Sequence, residues 1–185
     1  MTLVVTLSVL LGACSSSSPP SASSTSSSIV TAASFDKLIG AGITLLGEGN
    51  VDGAFKLFRR AVASDPASPL GYYNLGVVYQ KEDDPAQAVD EYDNALVEDP
   101  SYVPAIYNKA VIYGSAQPQQ AMNLYRRVLA LQPHSPTALL NLGLLEVVTN
   151  GMEQQGIIDL RHAVVLDPSL RAHIPPFLRA RVGAT

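Results

Sequence analysis

A proline recurs at near-constant spacing through most of this chain, at Pro66, Pro100, Pro133 and Pro168, with intervals of 34, 33 and 35 residues. Asp precedes it three times (Asp65, Asp99, Asp167) and Gln132 stands in the remaining place. A period of this size is the mark of a stacked architecture, in which each unit hides its apolar surface only against the next. It also fixes boundaries, because the residue before proline avoids helical torsions and each pair therefore ends a helix.

Within each interval the apolar and small residues fall at helical spacing, and they do so twice. Tyr72, Leu75, Gly76 and Tyr79 share one face, and Ala88, Tyr92 and Ala95 share another. Start signals stand where these stretches begin. Ser68-Pro69 and Ser135-Pro136 place a capping hydroxyl before a proline at the first helical position, and Asp84-Pro85-Ala86-Gln87 does so with the outline of a capping box. Each unit thus reads as two helices of about 12 to 14 residues. Gly42, Gly76, Ala110 and Gly143 lie on the first helices, and Ala54, Ala88, Ala121 and Gly156 lie at the facing positions of the second. Small residues on both sides let the two helices approach closely, and a larger one would overpack at a cost of about 1–3 kcal/mol.

These positions resemble the signature of the tetratricopeptide repeat. The first unit (35–68) carries Leu38, Ala41, Gly42, Leu45, Ala54, Phe58 and Ala61 at the signature places; the second (69–102) matches almost throughout, with Tyr72 where Trp is common. The third (103–135) has Ile106, Ala110, Tyr113, Ala121 and Tyr125, puts Lys109 where Leu is usual, and is one residue short before Pro118. The fourth (136–168) has Leu139, Leu142, Gly143, Gly156, Leu160 and Ala163, one extra residue near Asn150-Gly151, and Glu146 where Tyr is usual. The resemblance implies an all-α fold: a right-handed superhelical array of about four helix-turn-helix repeats. Residues 169–185 are expected to form a capping helix and tail, interrupted at Pro175-Pro176, with Arg171, Arg179 and Arg181 on a wet outer face.

The amino-terminal part is of another kind. Leu3 to Ala13 is too short an apolar run to span a bilayer, and it has the length of a signal-peptide core. Leu11-Gly12-Ala13-Cys14 resembles a bacterial lipobox, although no Lys or Arg precedes the apolar run. On that resemblance residues 1–13 are a lipoprotein signal peptide. Cys14, the single cysteine of the chain, then becomes the lipidated residue, carrying more than one acyl chain such as palmitate. The alternative is a plain secretory signal with an incidental cysteine. Residues 14–34, dominated by serine, are expected to form a disordered tether or a stalk for O-linked sugars. The implied location is the cell envelope, outside the cytoplasmic membrane, and the outer membrane where there is one.

The rest of the sequence argues against chemistry. A net charge of −4 without a dense Lys/Arg run disfavours nucleic acid as a partner. One cysteine gives no disulfide and no thiolate metal site. His134, His162 and His173 are scattered along the sequence without ligand spacing, and no phosphate loop, HExxH or nucleophile elbow occurs. No catalytic residue, cofactor or metal site is expected. The acidic residues Glu82, Asp83, Asp84, Asp90, Glu91, Asp93, Glu98 and Asp99 read either as a solvated back face or as a docking patch.

The resemblance places binding on the first helices, which line a concave groove. The matching positions are Ile39, Gly40 and Ile43; Tyr73, Asn74, Val77 and Gln80; Tyr107, Asn108, Val111 and Gly114; Leu140, Asn141, Leu144 and Val147. The groove is mostly apolar, with asparagine at one equivalent position in three units. Those amides could pair with the backbone of an extended peptide, since Asn both donates and accepts. Equally, they could bond between adjacent helices as part of the framework. The expected role is that of an envelope scaffold that captures a segment of another envelope protein, with self-association or docking through the acidic face as alternatives.

Overall fold

The computed structural model describes residues 23–114, 116–149 and 151–183. The signal-peptide reading of 1–13, lipidation at Cys14 and the first part of the tether fall outside them. Eight helices form four consecutive pairs: α1 (Ser23–Gly47) with α2 (Val51–Ser64), α3 (Pro69–Lys81) with α4 (Pro85–Glu98), α5 (Val103–Tyr113) with α6 (Pro118–Leu131), and α7 (Pro136–Val148) with α8 (Glu153–Leu166). A short 3-10 turn (Pro168–His173) and α9 (Pro176–Val182) follow. No described helix is long and apolar enough to cross a membrane.

The helix starts are set by proline more than by hydroxyl caps. Asp84 accepts from the Gln87 amide at 3.1 Å, and Asn50 accepts from the Gly53 amide at 2.9 Å. Ser68 and Ser135 stand at their N-cap positions but make no side-chain cap bond, contrary to the sequence expectation. Proline at N1 supplies the helical φ at these starts and has no amide hydrogen to satisfy. At the turns between pairs, Asp99 accepts from both the amide and hydroxyl of Ser101 (2.8 and 2.7 Å), and Asp167 does the same with Ser169 (3.0 and 2.7 Å). The Asp of the Asp-Pro pair therefore ties the turn as well as ending the helix.

Each hydrophobic core borrows from the following element. Phe35, Ile39, Ala54, Phe58 and Ala61 close under Leu75 and Val78 of α3, and Ala88, Tyr92 and Ala95 under Ala105 of α5. Ile106, Ala110, Met122, Tyr125 and Val128 close under Ala138, Leu142 and Leu145 of α7. The last core is covered by Leu170, Ile174, Leu178 and Val182. The terminal segment is a lid on the fourth pair, held through backbone carbonyls by its own Arg179 and by Arg161 of α8. Arg179 Nε donates to the Ile174 carbonyl (2.8 Å), and Arg161 Nε to the Val182 carbonyl (3.1 Å). Arg179 and Arg171 are half-buried rather than fully on a wet face; Arg181 is exposed and pairs with Glu153.

Two departures from the repeat signature turn out to be inter-repeat ion pairs. Lys109 on α5 reaches Asp93 on α4 (2.5 Å), and Arg126 on α6 reaches Glu146 on α7 (2.7 Å). Glu146 is 1% exposed, and its second oxygen has no partner among the described residues. Burial raises its pKa; the Arg126 guanidinium opposes that, and the neighbouring Asp159 carboxyl adds to it. The shortened third unit ends α5 at Tyr113, where Gly114 turns the chain at φ +40°.

The stretch 23–34, read from its serine content as tether, is helical and continuous with the first repeat. It holds neither proline nor glycine.

Candidate functional site

The first helices of the last three pairs bring Tyr73, Tyr107, Asn108, Val111, Asn141 and Leu144 to one side, where two recesses open. The first, of about 310 Å³, is lined by Tyr73, Val103, Pro104, Tyr107, Asn108, Val128, Gln132, Ser135 and Thr137. The second, of about 270 Å³, is lined by Val111, Gly114, Tyr125, Asn141, Leu144 and Leu145. Neither contains a charged side chain.

The structure divides the sequence-chosen residues into three groups. Ile43 (52% exposed) and Val111 (44%) are open. Tyr73, Val77, Gln80, Tyr107, Asn108, Asn141 and Leu144 are half-buried. Ile39, Asn74 and Leu140 are buried and offer no surface to a ligand. The reason is rotational: Ile39 and Leu140 point into the cores of the first and fourth pairs.

The asparagines are engaged by the framework. Asn74 Nδ2 donates to the Leu70 carbonyl of its own helix at 2.7 Å. Asn108 Nδ2 donates to the hydroxyls of Tyr92 (3.2 Å) and Tyr73 (3.4 Å), and Asn141 Nδ2 donates to the hydroxyl of Tyr107 (2.9 Å). Tyr92 in turn donates to Gln80 Oε1. No donor among the described residues reaches the Oδ1 atom of Asn108 or Asn141, so each keeps an acceptor. The framework reading thus holds for the amide hydrogens, and the carbonyl of two of the three residues is left for other use.

Burial pushes the Tyr92 phenol far above its usual value, with the Asn108 amide opposing the shift. The Tyr125 phenol is pushed to about 12 by burial, raised further by Tyr107 and lowered by Asn141. Both hydroxyls are therefore fixed, neutral groups at physiological pH. The rings pack at angles: Tyr73 against Tyr102 (5.6 Å, 70°) and Tyr107 against Tyr125 (5.7 Å, 69°). Sequence reasoning missed Tyr102 and Tyr125 as parts of the site. Tyr125 belongs to a core signature position, and it lines the second recess together with Gly114.

Two other expectations are revised. His134 and His162, treated as unrelated in sequence, stand with ring centroids 6.4 Å apart and nearly perpendicular. No group of three or more His, Cys, Asp or Glu side chains suited to a metal occurs among the described residues. The acidic residues of α4 are not all free: Asp93 is paired with Lys109, and Glu91 accepts from Asn94 Nδ2 at 3.2 Å.

Comparison with known proteins gives the geometry a context. Models described as TPR repeat and tetratricopeptide repeat match residues 45–83 and 71–102. The chain is 34% identical over 79 residues to a probable UDP-N-acetylglucosamine–peptide N-acetylglucosaminyltransferase SPINDLY of Solanum lycopersicum, covering 43% of this chain and 8% of that protein. It is 30% identical over 88 residues to the photosystem I assembly protein Ycf3 of Prochlorococcus marinus, covering 45% of this chain and 51% of that one. The chain thus spans about half the length of the second relative and a small part of the first. Among solved structures it resembles PilF of Pseudomonas aeruginosa (TM-score 0.68, 24% identity, 77% of this chain and 65% of that one). It also resembles the first TPR of Spaghetti (RPAP3) bound to the HSP90 peptide SRMEEVD (TM-score 0.56, 23% identity, 60% and 89%). At these identities the structural likeness speaks for the fold.

Proposed function

We propose that this chain, a tetratricopeptide-repeat protein by its matching repeats and helix-pair fold, holds an extended, uncharged segment of a partner protein against α3, α5 and α7, and does so from a lipid anchor at Cys14 in a bacterial envelope. A protein–protein interaction module follows from the family. The observation that carries the finer reading is the chemistry of the two recesses: apolar walls, tyrosine rings, and the unused carbonyls of Asn108 and Asn141, with no Lys or Arg lining either. The carbonyls accept from backbone amides of any sequence, and the recesses take side chains between them. A peptide ending in several carboxylates, like the one bound to the RPAP3 repeat, meets no countercharge here, and burying those charges unpaired would oppose binding. The anchoring half of the proposal rests on Leu11-Gly12-Ala13-Cys14 and the apolar run before it.

The two halves are tested separately in intact cells. A photo-reactive residue at Val111 or Leu144 is expected to cross-link to a partner chain, and one at Asp90 is not. In the same partner complex, Tyr107→Ala with Leu144→Ala is expected to weaken binding ten- to hundredfold, the loss typical of removing two anchoring side chains. Cross-links from Asp90 alone would move the docking surface to the acidic face. Cys14→Ser is expected to release the protein from membranes or leave it unprocessed, and tight association of that variant would overturn the anchoring.

A further inference from the structure

The exposed stripes of α2 and α4 carry opposite charges in matching register. Each helix has 14 residues, and equivalent positions are 34 residues apart. Lys56 and Arg59 therefore occupy on α2 the places that Asp90 and Asp93 occupy on α4. Lys56, Arg59 and Arg60 are exposed and, with Phe55, surround an open recess of about 620 Å³. Asp90 is exposed, and the Asp93 side chain is 50% exposed beside Lys109. The two stripes do not neutralise each other within the chain. Ion pairs among the described residues join Lys109 to Asp93, Arg126 to Glu146 and Arg181 to Glu153, and none uses Lys56, Arg59, Arg60 or Asp90.

We propose that this face pairs with the same face of a second copy, about a two-fold axis passing between α2 and α4. As second members of consecutive stacked pairs, α2 and α4 run in the same direction, so a two-fold axis lying in the interface and parallel to them lays α2 against α4 of the second copy in that same direction. Because the helices are equal in length and equivalent in place, that operation sets Lys56 opposite Asp90 of the second copy and Arg59 opposite its Asp93. Symmetry repeats both contacts, as in any isologous interface. Charge complementarity selects this occupant over others. An anionic lipid surface would meet the cations of α2 together with Asp52 and the acidic stripe alongside them. An acidic peptide would use α2 alone and leave Asp90 and Asp93 without a role. The contact is made mainly by solvated charges, so it is weak and salt-sensitive. It leaves the tyrosine-lined side of each copy open, and its test is independent of the groove.

The test is sedimentation of the full chain carrying Cys14→Ser, at about 20 mM and about 0.5 M salt, which differ about fivefold in Debye length. The expected result is a dimer at low salt that dissociates at high salt. Reversing α2 (Lys56→Asp, Arg59→Asp) or α4 (Asp90→Arg, Asp93→Arg) abolishes the dimer, and an equimolar mixture of the two variants restores it, since each then offers the other's complement. Should the Asp93 change disturb folding through Lys109, the exchange is carried by Lys56→Asp mixed with Asp90→Arg. A wild-type monomer at low salt and about 100 µM protein overturns the proposal. So do a dimer indifferent to both reversals, reversals that mixing does not rescue, and assembly beyond the dimer.

Discussion

Gly156 offers a sharp test of the packing because the same substitution can be made elsewhere in the array without its penalty. A β-carbon added at Gly156 on α8 would lie 2.6 Å from the carbonyl oxygen of Gly143 and 2.7 Å from the amide nitrogen of Val147, both on α7. A β-carbon added at Gly40 on α1 meets nothing within 4 Å. Replacing glycine by alanine in a helix interior gains about 1 kcal/mol of propensity at either place. At Gly40 that gain is the whole effect. At Gly156 the obstructing atoms are backbone, so no rotamer change relieves them and α7 must move from α8. That puts the cost near the upper end of overpacking penalties, about 3 kcal/mol, and leaves a net loss of about 2. For a domain of this size 1 kcal/mol corresponds to roughly 2–4 °C in melting temperature. Gly156→Ala should therefore melt about 4–8 °C lower than the wild type, and Gly40→Ala about 2–4 °C higher. Circular dichroism melts of the two variants in the same buffer decide it. If Gly156→Ala melts at or above the wild-type temperature, the close approach of α7 and α8 is not what the glycines serve.

The buried carboxyl of Glu146 makes a second prediction. Its folded pKa lies above the unfolded value, so the native state holds the proton more tightly, and stability falls as pH rises from the usual carboxyl range through the folded pKa. Glu146→Gln keeps an acceptor for Arg126 and should flatten that fall, which urea titrations between about pH 4 and pH 7 would read; an unchanged slope refutes it. Tyr125 predicts the same sign in alkali. With its phenol at about 12, stability should drop as pH climbs from about 10 towards that value. Tyr125→Phe should remove part of the drop while losing no bond to Tyr107, whose contact with Tyr125 is ring to ring. Finally, Asn141→Ala should cost about 1 kcal/mol for its link to Tyr107, and Asn74→Ala, whose bond stays within its own helix, should cost less.

The pair architecture was legible because it is written in covalent constraints. Prolines cannot continue a helix, and residues such as Gly76 mark where two helices meet; a β-carbon there would lie 2.5 Å from the Tyr92 ring. What was not legible depended on rotation and on distant partners. Only about 40° about the helix axis separates open Ile43 from buried Ile39, and no single-sequence pattern resolves that for a helix apolar on several sides. Lys109 and Glu146 looked like defects in a repeat until Asp93 and Arg126 came into reach across the stack. The His134–His162 contact is likewise a product of the turn before α7.

The amide-to-phenol links have a mechanical meaning. Tyr73 is joined to Asn108 and Tyr107 to Asn141, so the second pair is tied to the third and the third to the fourth. The first pair has Ile39 where the tyrosine stands, and Asn74 turns back to Leu70 of its own helix. Among the described residues, the joint between the first and second pairs has no side-chain hydrogen bond or ion pair across it and is held by packing. Force entering through the amino terminus, the end an anchor at Cys14 would load, meets this untied joint before either tied one. Under tension the array would lengthen there first, while the tyrosine-bearing units beyond it keep their spacing.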